Sequence, residues 1–218
     1  MKTAKTNFDY WKNMVYVATP AYTEWFNEEK KYLHNVITPN SNVLEVGCGY
    51  GRSISDILDI TTNVTGIDHD PHAVKDARKI FSNFPSVQIL NAKATQLPFS
   101  NQEFDYSMCL TTFANFGESK YAVLGEMKRV LKSDGKIIIS VFSEDALEER
   151  LKVYKDCGVK TKVLNNGTVL FESVDSSLGD HTSEQFSRNQ LERIFSRVRL
   201  NIEDIIKVNI AYLCTLKK

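Results

Sequence analysis

The chain has no surplus of charge of either sign. Its 27 Lys and Arg residues balance 27 Asp and Glu over 218 residues, for a formal net charge of zero. Without a basic surplus or a basic run, bulk electrostatics gives no pull toward nucleic acid or an anionic membrane surface. Its four cysteines, Cys48, Cys109, Cys157 and Cys214, stand far apart and form no C-x-x-C. That spacing suggests neither a zinc site nor a disulfide framework, and reduced thiols are the simpler reading. The longest aliphatic run, residues 137–142, is far too short to span a bilayer. Met1-Lys2-Thr3-Ala4-Lys5 has no apolar stretch behind it of the kind a signal peptide carries. No internal repeat, low-complexity segment or linker interrupts the chain. A soluble, cytoplasmic protein is therefore expected, with hydrophobic residues at 42% and enough length for one sizeable core.

What is present centres on Val43-Leu44-Glu45-Val46-Gly47-Cys48-Gly49-Tyr50-Gly51-Arg52. Val43, Leu44 and Val46 are β-favouring, and Pro39-Asn40-Ser41-Asn42 marks a turn before them. The glycines then allow a sharp turn into a helix at the carboxyl end of a first strand, where open α/β sheets bind nucleotide-like ligands. Glu45 is a carboxylate among residues that want burial. An unpaired buried charge is costly, so Glu45 is expected to face a cleft and to meet a cation or hydroxyls. Two nucleotide motifs do not fit. A dinucleotide fingerprint counted from Gly47 would need glycine where Arg52 stands, and a phosphate loop would need a lysine that does not follow.

Either side of this turn the pattern alternates. An aromatic cluster (Phe8, Tyr10, Trp11, Tyr16, Tyr22, Trp25, Phe26, Tyr32) fills the first part of the chain. Thr19-Pro20 is a helix start, and Tyr22, Trp25, Phe26, Glu29, Tyr32, Leu33 and Val36 keep helical spacing with one polar interruption. Tyr10, Trp11 and Tyr16, ahead of that helix, are candidate substrate contacts on a lid. After the glycine turn, 52–60 reads as a helix and 63–68 as a strand ending in Asp68. Asp70-Pro71 starts the next helix. An acid about twenty residues beyond a glycine turn suits the two vicinal hydroxyls of a ribose.

Further strands are expected at 87–90, at the end of 101–110 and at 136–142. A helix carrying Tyr121, Leu124, Met127, Val130 and Leu131 precedes the last of these and breaks at Ser133-Asp134-Gly135. Five strands alternating with helices predict a doubly wound sheet. A polar helix follows over 143–157. Asn165-Asn166-Gly167 between β-prone runs signals a hairpin, and 175–185 reads as a loop. Ser187-Arg188-Asn189-Gln190 is a capping box stapled by Phe186 and Leu191, and two edge strands, 200–208 and 209–216, close the chain.

E-x-G-x-G-x-G over residues 45–51 resembles the first motif of the class I S-adenosylmethionine-dependent methyltransferases. The resemblance covers residues 41–143 and includes Gly66-Ile67-Asp68, Leu97-Pro98-Phe99 with Phe104-Asp105, and residues 126–132 with Asp134-Gly135. It implies one α/β domain over 1–218, with a doubly wound, seven-stranded, mostly parallel sheet in the order 3-2-1-4-5-7-6, last strand antiparallel, and helices on both faces. Residues 1–37 would form a helical cap, 41–143 the cofactor core, 144–186 a variable insertion and 187–218 the closing helix and strands.

The cofactor implied is S-adenosylmethionine. Glu45 and the turn of Gly47, Gly49 and Gly51 would hold its methionine and ribose end, with Arg52 on the methionine carboxylate. Asp68 would take the ribose hydroxyls, and His69 would lie beside the adenine. Ala94 and Thr95 would border the base, and Cys109, Leu110 and Thr111 would line the cleft. Lys93 departs from the family, which often carries an acid there for the adenine amino group; a lysine cannot accept that bond. No metal is expected. His181, beside Asp180, is the one histidine nominated as a base, should the acceptor arrive protonated. A neutral, aromatic-lined entrance favours a small organic acceptor over a polyanion, and a monomer or homodimer. An RNA or protein methyltransferase, a non-catalytic binding protein on the same fold and an NAD-dependent oxidoreductase are the alternatives.

Overall fold

The computed structural model describes residues 19–172 and 182–218. Tyr10, Trp11, Tyr16 and His181 lie outside the described residues. The first described helix, α1 (Pro20–Val36), has Pro20 in its first turn, where the missing N–H costs nothing. Thr19 occupies the N-cap position, but its hydroxyl caps nothing; the first turn is closed instead by Thr23, which donates to the Thr19 carbonyl at 3.1 Å.

From there strands and helices alternate: β1 (Val43–Val46), α2 (Arg52–Ile57), β2 (Val64–Asp68), α3 (Pro71–Ile80), β3 (Gln88–Asn91) and β4 (Phe104–Leu110). Two short 3-10 turns, Thr112–Asn115 and Gly117–Ser119, lead to α4 (Lys120–Val130) and β5 (Leu131–Phe142). Beyond lie α5 (Leu147–Asp156), β6 (Thr161–Val163), β7 (Val169–Phe171), β8 (Thr182–Ser183), α6 (Arg188–Arg197), β9 (Asn201–Val208) and β10 (Ala211–Lys217). Asp70 accepts the His72 amide at the start of α3, and both halves of the capping box form between Ser187 and Gln190.

The main sheet has seven strands in the order β3-β2-β1-β4-β5-β10-β9. Strands β1 to β5 run parallel, while β10 is antiparallel to both of its neighbours. This is the order the family resemblance implied. The central strands are buried on both faces: Val43, Leu44, Val46, Met108, Cys109, Ile137 and Ile139 are all fully enclosed. Uninterrupted apolar strands are what a helix-covered parallel sheet requires.

Helix α1 packs into this core rather than lying loosely on it. The Trp25 indole is fully buried and donates to Ser140 Oγ on β5 at 2.8 Å, and the Tyr32 hydroxyl meets Thr215 Oγ1 on β10 at 2.7 Å. At the lower edge Tyr106 donates to the Val36 carbonyl at 3.0 Å.

Three segments differ from the sequence expectation. The helix does not break at Ser133-Asp134-Gly135. It ends at Val130, and β5 begins at once with Leu131, which is buried and pairs with Phe104. A register shift between Phe104 and Tyr106 takes up the slack, and Gly135 makes it feasible, because a Cβ there would lie 2.9 Å from the Asp105 carbonyl oxygen. The hairpin forms, but through a wider turn over Asn165–Gly167, with Asn166 at φ 67° and the Leu164 amide bonded to the Thr168 carbonyl. The end of the expected 175–185 loop is a strand as well: β8 pairs with β7 and completes a small antiparallel sheet, β6-β7-β8.

Candidate functional site

The site is built where β1 ends and the chain turns back into α2. The amides of Gly47 and Cys48 both donate to the Ile67 carbonyl at 2.9 Å, so the turn is stitched to the adjacent end of β2. Gly51 enters α2 with φ 89°, a left-handed conformation that strains any other residue. A side chain there would also overlap the Phe81 ring at the end of α3. The position is restricted twice over.

Asp68, at the end of β2, closes the turn from the other side. Its Oδ2 accepts the Gly49 amide at 2.8 Å, and its Oδ1 accepts the Asp70 amide at 2.9 Å. His69 Nδ1 stands 3.4 Å from Oδ1. Burial works to raise this carboxyl, but the hydrogen bonds from His69, Asp70 and Gly49 outweigh it and hold Asp68 below the ordinary carboxylate range. Asp68 is thus an anion that keeps lone pairs beyond those the backbone uses. The same contact raises the His69 imidazole. Beside this carboxylate, Gly49 faces open space: a Cβ added there would meet nothing within 4 Å.

Glu45 lies enclosed beneath the turn rather than exposed, its side chain at 1% exposure. Burial pushes its carboxyl up to about 8, against a hydrogen bond from Ser53 and the nearby Arg52 charge, which lower it. Its Oε2 is enclosed and finds no hydrogen-bond partner among the described residues. The same holds for Glu29 Oε2 and several other buried side-chain atoms among the described residues, so the atom gains its interest from its place at the glycine turn.

Arg52 is engaged within the protein rather than free for a ligand carboxylate. Its Nη2 bonds Glu29 Oε1 at 2.6 Å and its Nη1 bonds Asp56 Oδ2 at 3.3 Å, so the guanidinium is committed to carboxylates of the protein itself. Sequence reading had no role for Glu29, whose side chain is buried at the helix face where the apolar stripe of α1 is interrupted.

The other nominated residues surround the turn unevenly. Ala94 is half-buried and Thr95 exposed in the segment after β3, and Lys93 is exposed there too. Cys109 and Leu110 are packed into the core, with burial pushing the Cys109 thiol well up; Thr111 alone of that trio reaches the half-buried surface. Thr111 sits at φ 65°, ψ −33°, an uncommon conformation for a β-branched residue, held by its amide bonding the Ser140 carbonyl at 2.8 Å. Thr112, missed in the sequence, donates to the Gly47 carbonyl at 2.9 Å and ties the end of β4 to the glycine turn.

Two further motif groups prove to be braces. Glu126 accepts the Leu97 amide at 2.7 Å while Arg129 bonds the carbonyls of Leu97 and Phe99, fixing the Leu97-Pro98-Phe99 segment to α4. Asp105 accepts the Asn42 amide at 2.9 Å and meets Lys132 at 2.7 Å, so it secures the start of β1. Among the described residues, no cluster of His, Cys, Asp or Glu could hold a metal ion, and no helix is long and apolar enough to cross a membrane.

Comparison with known proteins decides the family. A methyltransferase-domain model matches residues 44–139. An uncharacterized protein of Methanocaldococcus jannaschii is 30% identical over 150 residues, covering 62% of this chain and 68% of its own length. The chain belongs to the class I S-adenosylmethionine-dependent methyltransferases. A demethylmenaquinone methyltransferase of Lysinibacillus sphaericus is 27% identical over 117 residues, and the match spans 52% of this chain but only about half, 49%, of that enzyme. In fold, the chain is similar to the 1,6-didemethyltoxoflavin-N1-methyltransferase of Burkholderia thailandensis, crystallised with 1,6-didemethyltoxoflavin and S-adenosylhomocysteine. That likeness has a TM-score of 0.69 at 15% identity and covers 100% of this chain and 93% of the other.

The residues present fit the family's cofactor. An ionised Asp68 with spare lone pairs suits a ribose diol, open space at Gly49 admits a ligand against the backbone, and Glu45, once ionised, would offer a cation its unmatched Oε2.

Proposed function

We propose that this protein methylates a small organic nucleophile, using S-adenosylmethionine. The observation that carries the cofactor half of this reading is the ionised Asp68, which grips the Gly49 amide beside open space and keeps lone pairs for a diol. When bound, S-adenosylmethionine supplies a methyl group on a sulfonium that passes to a nucleophile in line, with a neutral thioether leaving.

The chain's own task is then alignment and exclusion of water. Asp68 would accept both ribose hydroxyls. Glu45 Oε2 would accept the ammonium of the methionine end, over a turn whose glycines let the ligand approach. Ala94 and Thr95 would flank the base through their backbone, since Lys93 offers no acceptor. Thr111 and Thr112 shape the end of β4, next to the turn. Residues 1–37 and 144–186, which flank the 41–143 core in sequence, would supply the acceptor site.

Support for a small acceptor comes from the absence of net charge, which offers a polyanion little purchase. It also comes from the named relatives, a demethylmenaquinone methyltransferase and a toxoflavin-precursor N-methyltransferase. The test is transfer of labelled methyl groups to three pools: small quinols, phenols and N-heterocycles; total tRNA; and mixed peptides. Label in the first pool supports the reading, and label confined to RNA or peptide overturns the acceptor class.

A further inference from the structure

Helix α1 reaches the glycine turn through a charge cluster in which Glu29 and Glu45 are buried and Arg52 and Asp56 half-buried. Arg52 faces three carboxylates there, Glu29 from α1, Asp56 from its own helix and Glu45 from β1. Its hydrogen bonds run to Glu29 at 2.6 Å and Asp56 at 3.3 Å, and its guanidinium lies 4.3 Å from the Phe26 ring centroid on α1. Among the described residues no Arg52 hydrogen bond goes to Glu45, although the two charges interact. The Glu29 side chain is 1% exposed, so this pair acts in a weakly screened environment.

We infer that Glu29 is a positioning residue for the cofactor: it holds the Arg52 guanidinium off Glu45 and so reserves the Glu45 carboxyl for a ligand's ammonium group. The inference rests on the cofactor reading above. A guanidinium fork is the strongest ordinary partner for a carboxylate. Without Glu29, Arg52 has Asp56 and Glu45 to choose from, and of these the buried Glu45 gains more from a cation. A ligand ammonium would then have to displace a tethered charge.

The cluster also sets the proton count. The groups facing Glu45 are Ser53, Arg52 and Asp56 from α2, Glu29 from α1, Cys48 in the turn and Cys109 on β4. Burial keeps both thiols protonated. With the guanidinium turned away, Glu45 holds a proton near neutral pH and gives it to the buffer when an ammonium arrives, leaving a carboxylate–ammonium pair. With the guanidinium turned toward it, Glu45 is already ionised and no proton leaves.

The experiment is calorimetric titration of S-adenosylhomocysteine into the full chain at about pH 7, in phosphate and in Tris, whose ionisation enthalpies differ. For the wild type, the heats should differ by an amount matching release of close to one proton, and Glu45→Gln should abolish that release. Glu29→Gln should also abolish it and weaken binding about tenfold. The double variant E29Q/R52Q, with no guanidinium left to turn, should restore the release. That reversal is not expected of a residue that only supports the fold, and the double variant reads the inference even if E29Q folds poorly. Unchanged release and affinity in Glu29→Gln, or no release restored in the double variant, overturns the inference alone. No binding to the wild type overturns the cofactor reading along with it.

Discussion

The carboxylate of Asp68 and the amide of Gly49, nineteen residues apart, meet at 2.8 Å and bind the ends of β2 and β1 into one rigid turn. The same anion that would receive a ribose therefore also sets the path of the backbone beneath it. Folding and the proposed binding share a residue here.

Gly51 and Gly47 are expected to be the least replaceable glycines of the turn; at Gly47, with φ 77°, a Cβ would lie 2.4 Å from the Thr112 side chain. Gly51→Ala combines a left-handed φ of 89° with overlap on Phe81, so it should cost about 2 kcal/mol or more of unfolding free energy in urea titration. Gly49→Ala carries the strain of a left-handed φ of 54° but meets no neighbour, so it should cost less stability than Gly51→Ala and act mainly on ligand affinity.

Helix α1 is an integral part of the core, and Trp25 is its anchor. Trp25→Ala removes a fully buried indole and leaves Ser140 Oγ without its donor, so a loss of about 3–5 kcal/mol is expected by chemical denaturation. A loss under ~1 kcal/mol would show α1 to be a detachable cap.

Stability should fall as pH rises from about 4.5, the ordinary value for glutamate, to about 8, the value burial gives Glu45. Across that window the folded state keeps a proton that the unfolded chain has released, at a slope of up to about 1.4 kcal/mol per pH unit. His69, raised by Asp68, adds to the decline around neutrality. Thermal melts across this range should show it, and Glu45→Gln should flatten most of it. Below about pH 4 the opposite limb appears, as Asp68, Asp105, Glu126 and Glu203, all held below the ordinary range, take up protons.

Much of this was legible in the chain because local signals agreed with the global pattern. Glycines after a β-rich run, acids at strand ends, Asp70-Pro71 and the Ser187–Gln190 box each have a short-range physical cause, and each appears where that cause puts it. What was not legible depended on partners distant in sequence. Glu29 read as one flaw in an apolar stripe, and only the fold brings Arg52, twenty-three residues on, against it. Arg52 read as a ligand contact because its shorter bond, to Glu29, comes only with the fold, although Asp56 stood four residues on as a local partner. Glu45 was recognised as out of place, but its enclosure beside Ser53 comes from the packing of α2. Strand β8 spans Thr182–Ser183 alone, too short for any periodicity to show.

The most direct measurement is calorimetric titration with S-adenosylmethionine and S-adenosylhomocysteine on the wild type and on Asp68→Ala. Micromolar binding of both ligands by the wild type, lost or weakened at least about tenfold in an Asp68→Ala protein that still melts cooperatively, is the result expected. Absence of binding by the wild type, or binding that Asp68→Ala leaves unchanged, would contradict the site described around Asp68 and Gly49.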